Sequence, residues 1–328
     1  MPKKSKMPAP VSANQTASEA LATILRHNLD YLVQWEETAR SWDDIEGVHQ
    51  MRVSFRRMRS ALSLFRKMVP KEVSSHWSEE MRWLANQMGL ARDLDVFIDE
   101  GLSEVTNKLP LTGQEKLYTV AKVHQARAYQ EIVRPMLDSE RYAQFKTGFG
   151  DWIKNREWEK SLVRKKQRKR IDMNLIPFSR KLMDKQERQV LTSGSHVNQE
   201  SQKEMHQLRI ECKKLRYAAE FFHPLFQGMG DFIRHMKGLQ DLLGLMNDVA
   251  VMQQLLDILL ADITDPEIQV YAGGLVGWRT SHYHHMLERF EQYWEELIEA
   301  KHPWWKKSAL IMPDTANSGD SILNSPSR

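Results

Sequence analysis

One motif occurs twice in this chain, and the repetition constrains the fold more than any other feature. Val48-His-Gln-Met-Arg-Val53 is answered in the second half by Met205-His-Gln-Leu-Arg-Ile210. The match continues in register: His49 pairs with His206, Gln50 with Gln207, Arg52 with Arg209, Arg59 with Arg216 and Phe65 with Phe222. Arg56 and Arg57 pair with Lys213 and Lys214, so charge is kept where identity is not. A second block follows at a slightly shorter offset. Gly89-Leu-Ala-Arg-Asp93 answers Gly244-Leu-Met-Asn-Asp248, with Val96 over Val251 and Arg82 over Lys237. Two linked blocks in the same order imply an internal duplication, and so long a period excludes a solenoid of short repeats.

Glycine (15) and proline (12) are scarce among 328 residues, while good helix formers abound. No alternating β-branched run is long enough for a strand. The expected fold is therefore all-α, two pseudo-symmetric four-helix bundles of long antiparallel helices, one per repeat. Residues 1–16 are polar and rich in Pro, Ser and Ala, which predicts a disordered arm. Thr16 or Ser18 caps a helix carrying Leu21, Ile24, Leu25, Leu29 and Leu32. Further helical stretches are predicted over about 45–68, 75–90 with a kink at Gly89, and 112–152 with a kink at Pro135. This first repeat spans about 17–153. A basic linker over about 154–176 holds Arg164, Lys165, Lys166, Arg168, Lys169 and Arg170. The second repeat runs over about 177–305, and the Ser/Asn/Asp/Pro-rich tail 306–328 is expected to be disordered.

On a helix of 100° per residue with His49 at zero, Arg56 falls near about −20°, Arg52 near about −60° and Arg59 near about −80°. Arg66 extends this stripe. Met51, Phe55, Met58, Leu62 and Phe65 lie roughly opposite and form the expected core face. From His49 to Lys67 there are six Lys or Arg and no acid. Exposed helices ordinarily intersperse Glu with Lys, and they favour Lys, whereas this stripe is Arg, whose planar fork binds phosphate oxygens bidentately. His206, Arg209, Lys213 and Arg216 repeat the stripe, diluted by Glu211 and Glu220. Two such stripes facing each other make a basic groove suited to an extended polyanion.

In these residues the sequence resembles the CHAD domain (conserved histidine α-helical domain) family. The resemblance rests on Val48–Arg59 and Gly89–Val96 in the first half. In the second it rests on Met205–Tyr217, Leu239–Asp248 and the closing Pro303-Trp304. It covers residues 17–305 and implies two pseudo-symmetric helical bundles around a basic cavity that binds inorganic polyphosphate. By position it assigns anion binding to His49, Arg52, Arg56, Arg57, Arg59, His206, Arg209, Lys213, Lys214 and Arg216. Arg66, Arg82, Arg92 and Lys237 extend the set, and Asn247 stands where the first copy has Arg92. Some family members are fused to a triphosphate tunnel domain. Glu157-Trp-Glu159-Lys160 lacks that domain's spacing, so no hydrolase activity is carried over.

The expectation is thus a non-enzymatic polyphosphate binder without cofactor or metal, cytoplasmic and associated with polyphosphate-rich bodies. Protonation of the paired histidines near pH 6.5 is expected to strengthen binding. Nucleic-acid binding is the competing reading, served by the 164–170 block, although no reading head is recognisable. A metal-dependent phosphohydrolase using Asp93, Asp95 and Asp248 is the third. Those aspartates are better read as salt-bridge partners, and His282, His284 and His285 as a surface cluster. Cys212 is the only cysteine, which excludes an internal disulfide and any Cys-based zinc site. No apolar run reads as long enough to span a bilayer, and Met1–Pro10 has lysines but no apolar segment of a secretory signal. The net charge is only +4, from 47 Lys and Arg against 43 Asp and Glu.

Overall fold

The computed structural model describes residues 10–106, 108–160 and 165–305. The first half contains α1 (Ala17–Gln34), α2 (Glu36–Ser41), α3 (Glu46–Leu64), α4 (Lys71–Gln87), α5 (Gly89–Val96), α6 (Gln114–Arg127), α7 (Arg134–Leu137) and α8 (Glu140–Lys154). Two short helices, α9 (Glu157–Lys160) and α10 (Lys165–Ile171), lead to α11 (Leu175–Gly194) and α12 (Gln202–Phe222). Then come α13 (Met229–His235), α14 (Lys237–Leu259), α15 (Pro266–Leu287) and α16 (Phe290–Ile298). The fold is all-α, with no strand among the described residues. α3 packs on α12, α5 on α14 and α6 on α15, so the helices bearing the two motif copies meet.

The local chemistry explains where helices start. Thr16 opens α1 with a capping box: its hydroxyl accepts from the Glu19 amide at 3.3 Å, and its own amide donates to Glu19 Oε2 at 2.9 Å. The arm expected over 1–16 is structured from residue 10 onward. Val11 is buried, Ala17 N donates to Met173 O at 2.9 Å and Leu175 N donates to Gln15 O at 2.9 Å. Backbone pairing with 173–175 supplies the order that a polar composition did not announce. Residues 1–9 and the tail 306–328 lie outside the described residues. Gly47 lets α2 sit directly on α3, since a Cβ there would come within 2.4 Å of the Ala39 amide nitrogen.

The stretch predicted over 112–152 is not one kinked helix. α6 runs into a wider π-type segment over Ala128–Val133, and Pro135 sits harmlessly in the first turn of α7. The break falls at Ser139, whose hydroxyl accepts from Tyr142 N at 3.2 Å and starts α8. A second π-type segment, Phe97–Leu102, extends α5. Between the two, buried Asp95 accepts from Gln125 Nε2 and Tyr129 Oη, each at 2.8 Å.

The core face predicted for α3 holds: Met51, Phe55, Met58, Leu62 and Phe65 are all at most 2% exposed. Each such side chain contributes about 1.5–3 kcal/mol of burial, which anchors α3 while its other face carries cations. The basic block is helical rather than a loose linker over Lys165–Ile171, while residues 161–164 lie outside the described residues. One membrane-length expectation is corrected. α14 is long and apolar enough to cross a bilayer by length and composition, with a mean hydropathy of 1.3. Leu239, Leu242, Leu243, Leu255, Leu256 and Leu259 are buried in the bundle, while about a third of its most apolar stretch is buried in all.

Candidate functional site

The α3–α12 contact brings the two cationic stripes to one place. Arg56 on α3 lies within electrostatic reach of Arg209 and Lys213 on α12. His49 lies within reach of Arg52, Arg56 and of Arg92 on α5. Asp93 on α5 and Asp248 on α14, matched positions of the repeat, are also within reach of each other. Arg82 on α4 approaches Arg59. The structure therefore gathers His49, Arg52, Arg56, Arg92, Arg209 and Lys213 around one space, with Arg59 and Arg82 paired beside each other. Asp93 and Asp248 supply countercharge.

The electrostatic cost of this arrangement is visible in single groups. Burial, reinforced by Arg209, Arg56 and Arg216, pushes the Lys213 ammonium down from 10.5 to about 7. Burial also holds Arg52, Arg59 and Arg209 below the usual guanidinium range, with neighbouring arginines adding to the effect. They stay charged regardless. Arg209 Nε is buried with no hydrogen-bond partner, and Arg52 Nη1 donates to the Ala85 carbonyl. His49 corrects the expected pH dependence: burial first, then Arg92, pushes its imidazole down to about 4. It is neutral near pH 6.5.

Other predicted residues are placed differently. Arg57 is neutralised by Glu220 at 2.7 Å, and the same carboxylate holds Arg216 at 3.1 Å. Arg216 also donates to Gln240 Oε1 at 2.9 Å. Lys214 pairs with buried Glu211 at 2.9 Å, on another face from Lys213. Arg66, exposed just past the end of α3, belongs with Lys214 rather than with the groove. His206 and Lys237 are exposed and make no ion pair among the described residues. Three groups were missed by sequence reasoning. Tyr217, 2% exposed, lies beneath both Arg56 (5.9 Å) and Arg216 (5.6 Å). Arg279 on α15 approaches Asp248 while bonded to Glu104 at 2.9 Å. Lys185 on α11 joins Arg66 and Lys214. Only Tyr217 had a sequence signal, its place beside Arg216 in the repeated helix.

The remaining clusters resolve as side-chain packing. His282 stacks on Trp278 at 5.8 Å, His284 lies against Tyr283 at 5.4 Å, and His285 approaches Glu288 at 3.4 Å. Among the described residues no group of three or more His, Cys, Asp or Glu is placed to hold a metal ion. Cys212 is buried, its thiol pushed up to about 12 by that burial. The closing Trp304 packs edge-on against Phe232 at 4.9 Å and donates to Asp184 Oδ1 at 2.8 Å.

An all-α protein in which two His-Arg helices pack together with their cations crowded at the contact defines a narrow structural class. The chain belongs to the CHAD domain family, which it matches over residues 23–257. It is similar to the crystal structure of the CHAD domain from the plant Ricinus communis. That likeness has a TM-score of 0.76 at 25% identity and covers 92% of this chain and 99% of that one. PptA from Streptomyces chartreusis shares the fold, with a TM-score of 0.59 at 14% identity over 86% of this chain and 100% of that one. Two uncharacterized proteins of Mycobacterium tuberculosis, MT2285 and Rv2226, are each 25% identical over 248 residues, 73% of this chain. The chain spans 45% of the length of those relatives.

Proposed function

We propose that this protein binds inorganic polyphosphate in the groove between α3 and α12, as a binding module rather than an enzyme. The observation that carries the reading is the crowding of cations at that contact, where burial together with Arg209, Arg56 and Arg216 pushes Lys213 down to about 7 in spite of Asp248. Two sets of cations from separate helices point at a common space. A linear anion with charge on every unit would relieve their repulsion through charge-assisted hydrogen bonds and counterion release. The family resemblance points to the same ligand, and a cytoplasmic role at polyphosphate-rich bodies follows from it. Nucleic acid offers the same phosphate charge, but the groove offers few exposed aromatic faces on which bases would stack.

The test is titration with long-chain polyphosphate, with DNA and RNA as competitors and phosphate release followed in Mg²⁺ or Mn²⁺. The expected result is salt-sensitive binding that nucleic acid does not displace at equal charge concentration, with no phosphate released. Arg56→Ala combined with Arg209→Ala is expected to weaken binding at least tenfold. The reading falls if nucleic acid displaces polyphosphate, if phosphate is released, or if the double variant binds as the parent does.

A further inference from the structure

Outside the groove, a second group of cations converges where α3 ends. Arg66 and Lys67 lie exposed just past the last turn of α3, whose end at Leu64 is about 12 Å along the axis from Arg56. Arg170, from the basic helix α10, donates through Nη1 to the Lys67 carbonyl at 2.9 Å. This bond brings the basic block against the same corner. From α11, Lys185 lies within electrostatic reach of Arg66, Lys67 and Lys214. It also lines an open cavity of about 370 Å³ between α11 and α12. The nearby countercharge is Glu211, 5% exposed and bonded to Lys214 at 2.9 Å. One carboxylate against five cations leaves an excess that the fold does not neutralise. Among the described residues, Arg66, Lys67, Lys185 and Arg170 make no ion pair.

Resting on the groove reading, we propose that Arg66, Lys67, Arg170, Lys185 and Lys214 form a second phosphate-binding platform that engages the part of a long polyphosphate emerging from the groove. A short chain fills the groove and ends there. A longer one reaches the corner at the end of α3, where the second contact is intramolecular and so strengthens overall binding without any change in the groove. The platform thereby makes the protein selective for chain length. It also gives the basic block of α10 a function that a plain linker would not have.

The test compares tripolyphosphate with long-chain polyphosphate on the full chain. The parent is set against a triple variant, Arg66→Gln, Lys67→Gln and Lys185→Gln. These three side chains make no ion pair among the described residues and repel one another, so thermal unfolding is expected to stay the same or rise, not fall. The single variant Lys185→Glu repeats the measurement with one substitution. The expected result is unchanged tripolyphosphate affinity and at least tenfold weaker binding of the long chain. The salt slope for the long chain should also become shallower by about 2, since each phosphate neutralised contributes about 0.7–0.9 to it. Equal losses for both ligands, or undiminished long-chain binding in both variants, overturns the platform. Parent protein that binds neither ligand instead overturns the groove reading, and the platform with it.

Discussion

Replacing Lys213 by methionine should make the free protein more stable and the complex weaker. The ammonium sits among Arg209, Arg56 and Arg216 with its pKa lowered from 10.5 to about 7. At about 1.4 kcal/mol per pH unit that depression corresponds to about 4–5 kcal/mol against the protonated form, and solvent reaching the half-buried site screens it to about 1–3 kcal/mol. Methionine keeps the alkyl stem and its packing without the charge. The sign follows from proton binding: the unfolded chain holds this proton up to pH 10.5 and the folded one only to about 7. The penalty is therefore full below about 7 and fades as pH rises toward 10.5. The variant should melt roughly 1.5–5 °C higher at about pH 6.5, a gain that shrinks by about half near pH 9. A lower melting temperature, or a gain independent of pH, would refute the reasoning.

The same group should couple binding to protons. Phosphate oxygens beside Lys213 favour its charged form, so the complex takes up close to one proton when the free lysine is neutral. Affinity should rise by up to about tenfold per pH unit as pH falls from about 9 to 7, then level off. Calorimetry in two buffers of different ionisation enthalpy measures this uptake directly. In Lys213→Met the uptake should vanish along with part of the affinity. Identical uptake in parent and variant would mean that another group titrates.

Glu220→Gln removes the carboxylate that ties down Arg57 and Arg216. It should tighten polyphosphate binding about 3–10-fold, worth roughly 1 kcal/mol, and steepen the salt dependence; unchanged affinity in a titration would show those arginines to be outside the ligand's path. Asp184→Asn weakens the acceptor that holds both Trp304 and Trp305 through their indole N–H groups. Chemical denaturation should register a loss of about 1–3 kcal/mol, whereas tripolyphosphate affinity should stay the same, because the two indoles pack against Phe232 and His302 and not on the cations between α3 and α12.

Much of the architecture was legible because α3 states its own orientation. Its apolar and cationic residues fall on opposite sides of a single helix, so the wheel fixed both the core face and the groove face. What the wheel does not hold is the partner surface. Lys185 and Arg279 come from α11 and α15, which carry no copy of the motif, and only packing reveals them. The repeat also overstated its own symmetry. Glu211 and Glu220 occupy positions where the first copy has Ser54 and Ser63. Those two acids neutralise Lys214 and Arg57, removing both from the groove. Burial was invisible as well, and it moved the His49 imidazole out of the pH range in which a free histidine titrates. The break at Ser139 was masked by Pro135, a stronger signal that the first turn of α7 simply tolerates.

A net charge of +4 conceals how the charge is sorted. Glu288–Glu299 alone carries five acids against one arginine, whereas from His49 to Lys67 six cations meet no acid in their own helix. The identity of those cations matters. Arginine cannot shed its proton to escape crowding, and Arg52, Arg56 and Arg209 therefore keep this contact cationic at any physiological pH. Lysine can, and Lys213 sits where crowding lowers its pKa to about 7. A lysine at every position would have relaxed by deprotonation and lost the site; an arginine at 213 would have left no proton to exchange. On the proposed reading, this mixture would hold a polyanion at any physiological pH yet grade its binding near neutrality, and the apolar face of α3 supplies the packing that holds the cationic face together.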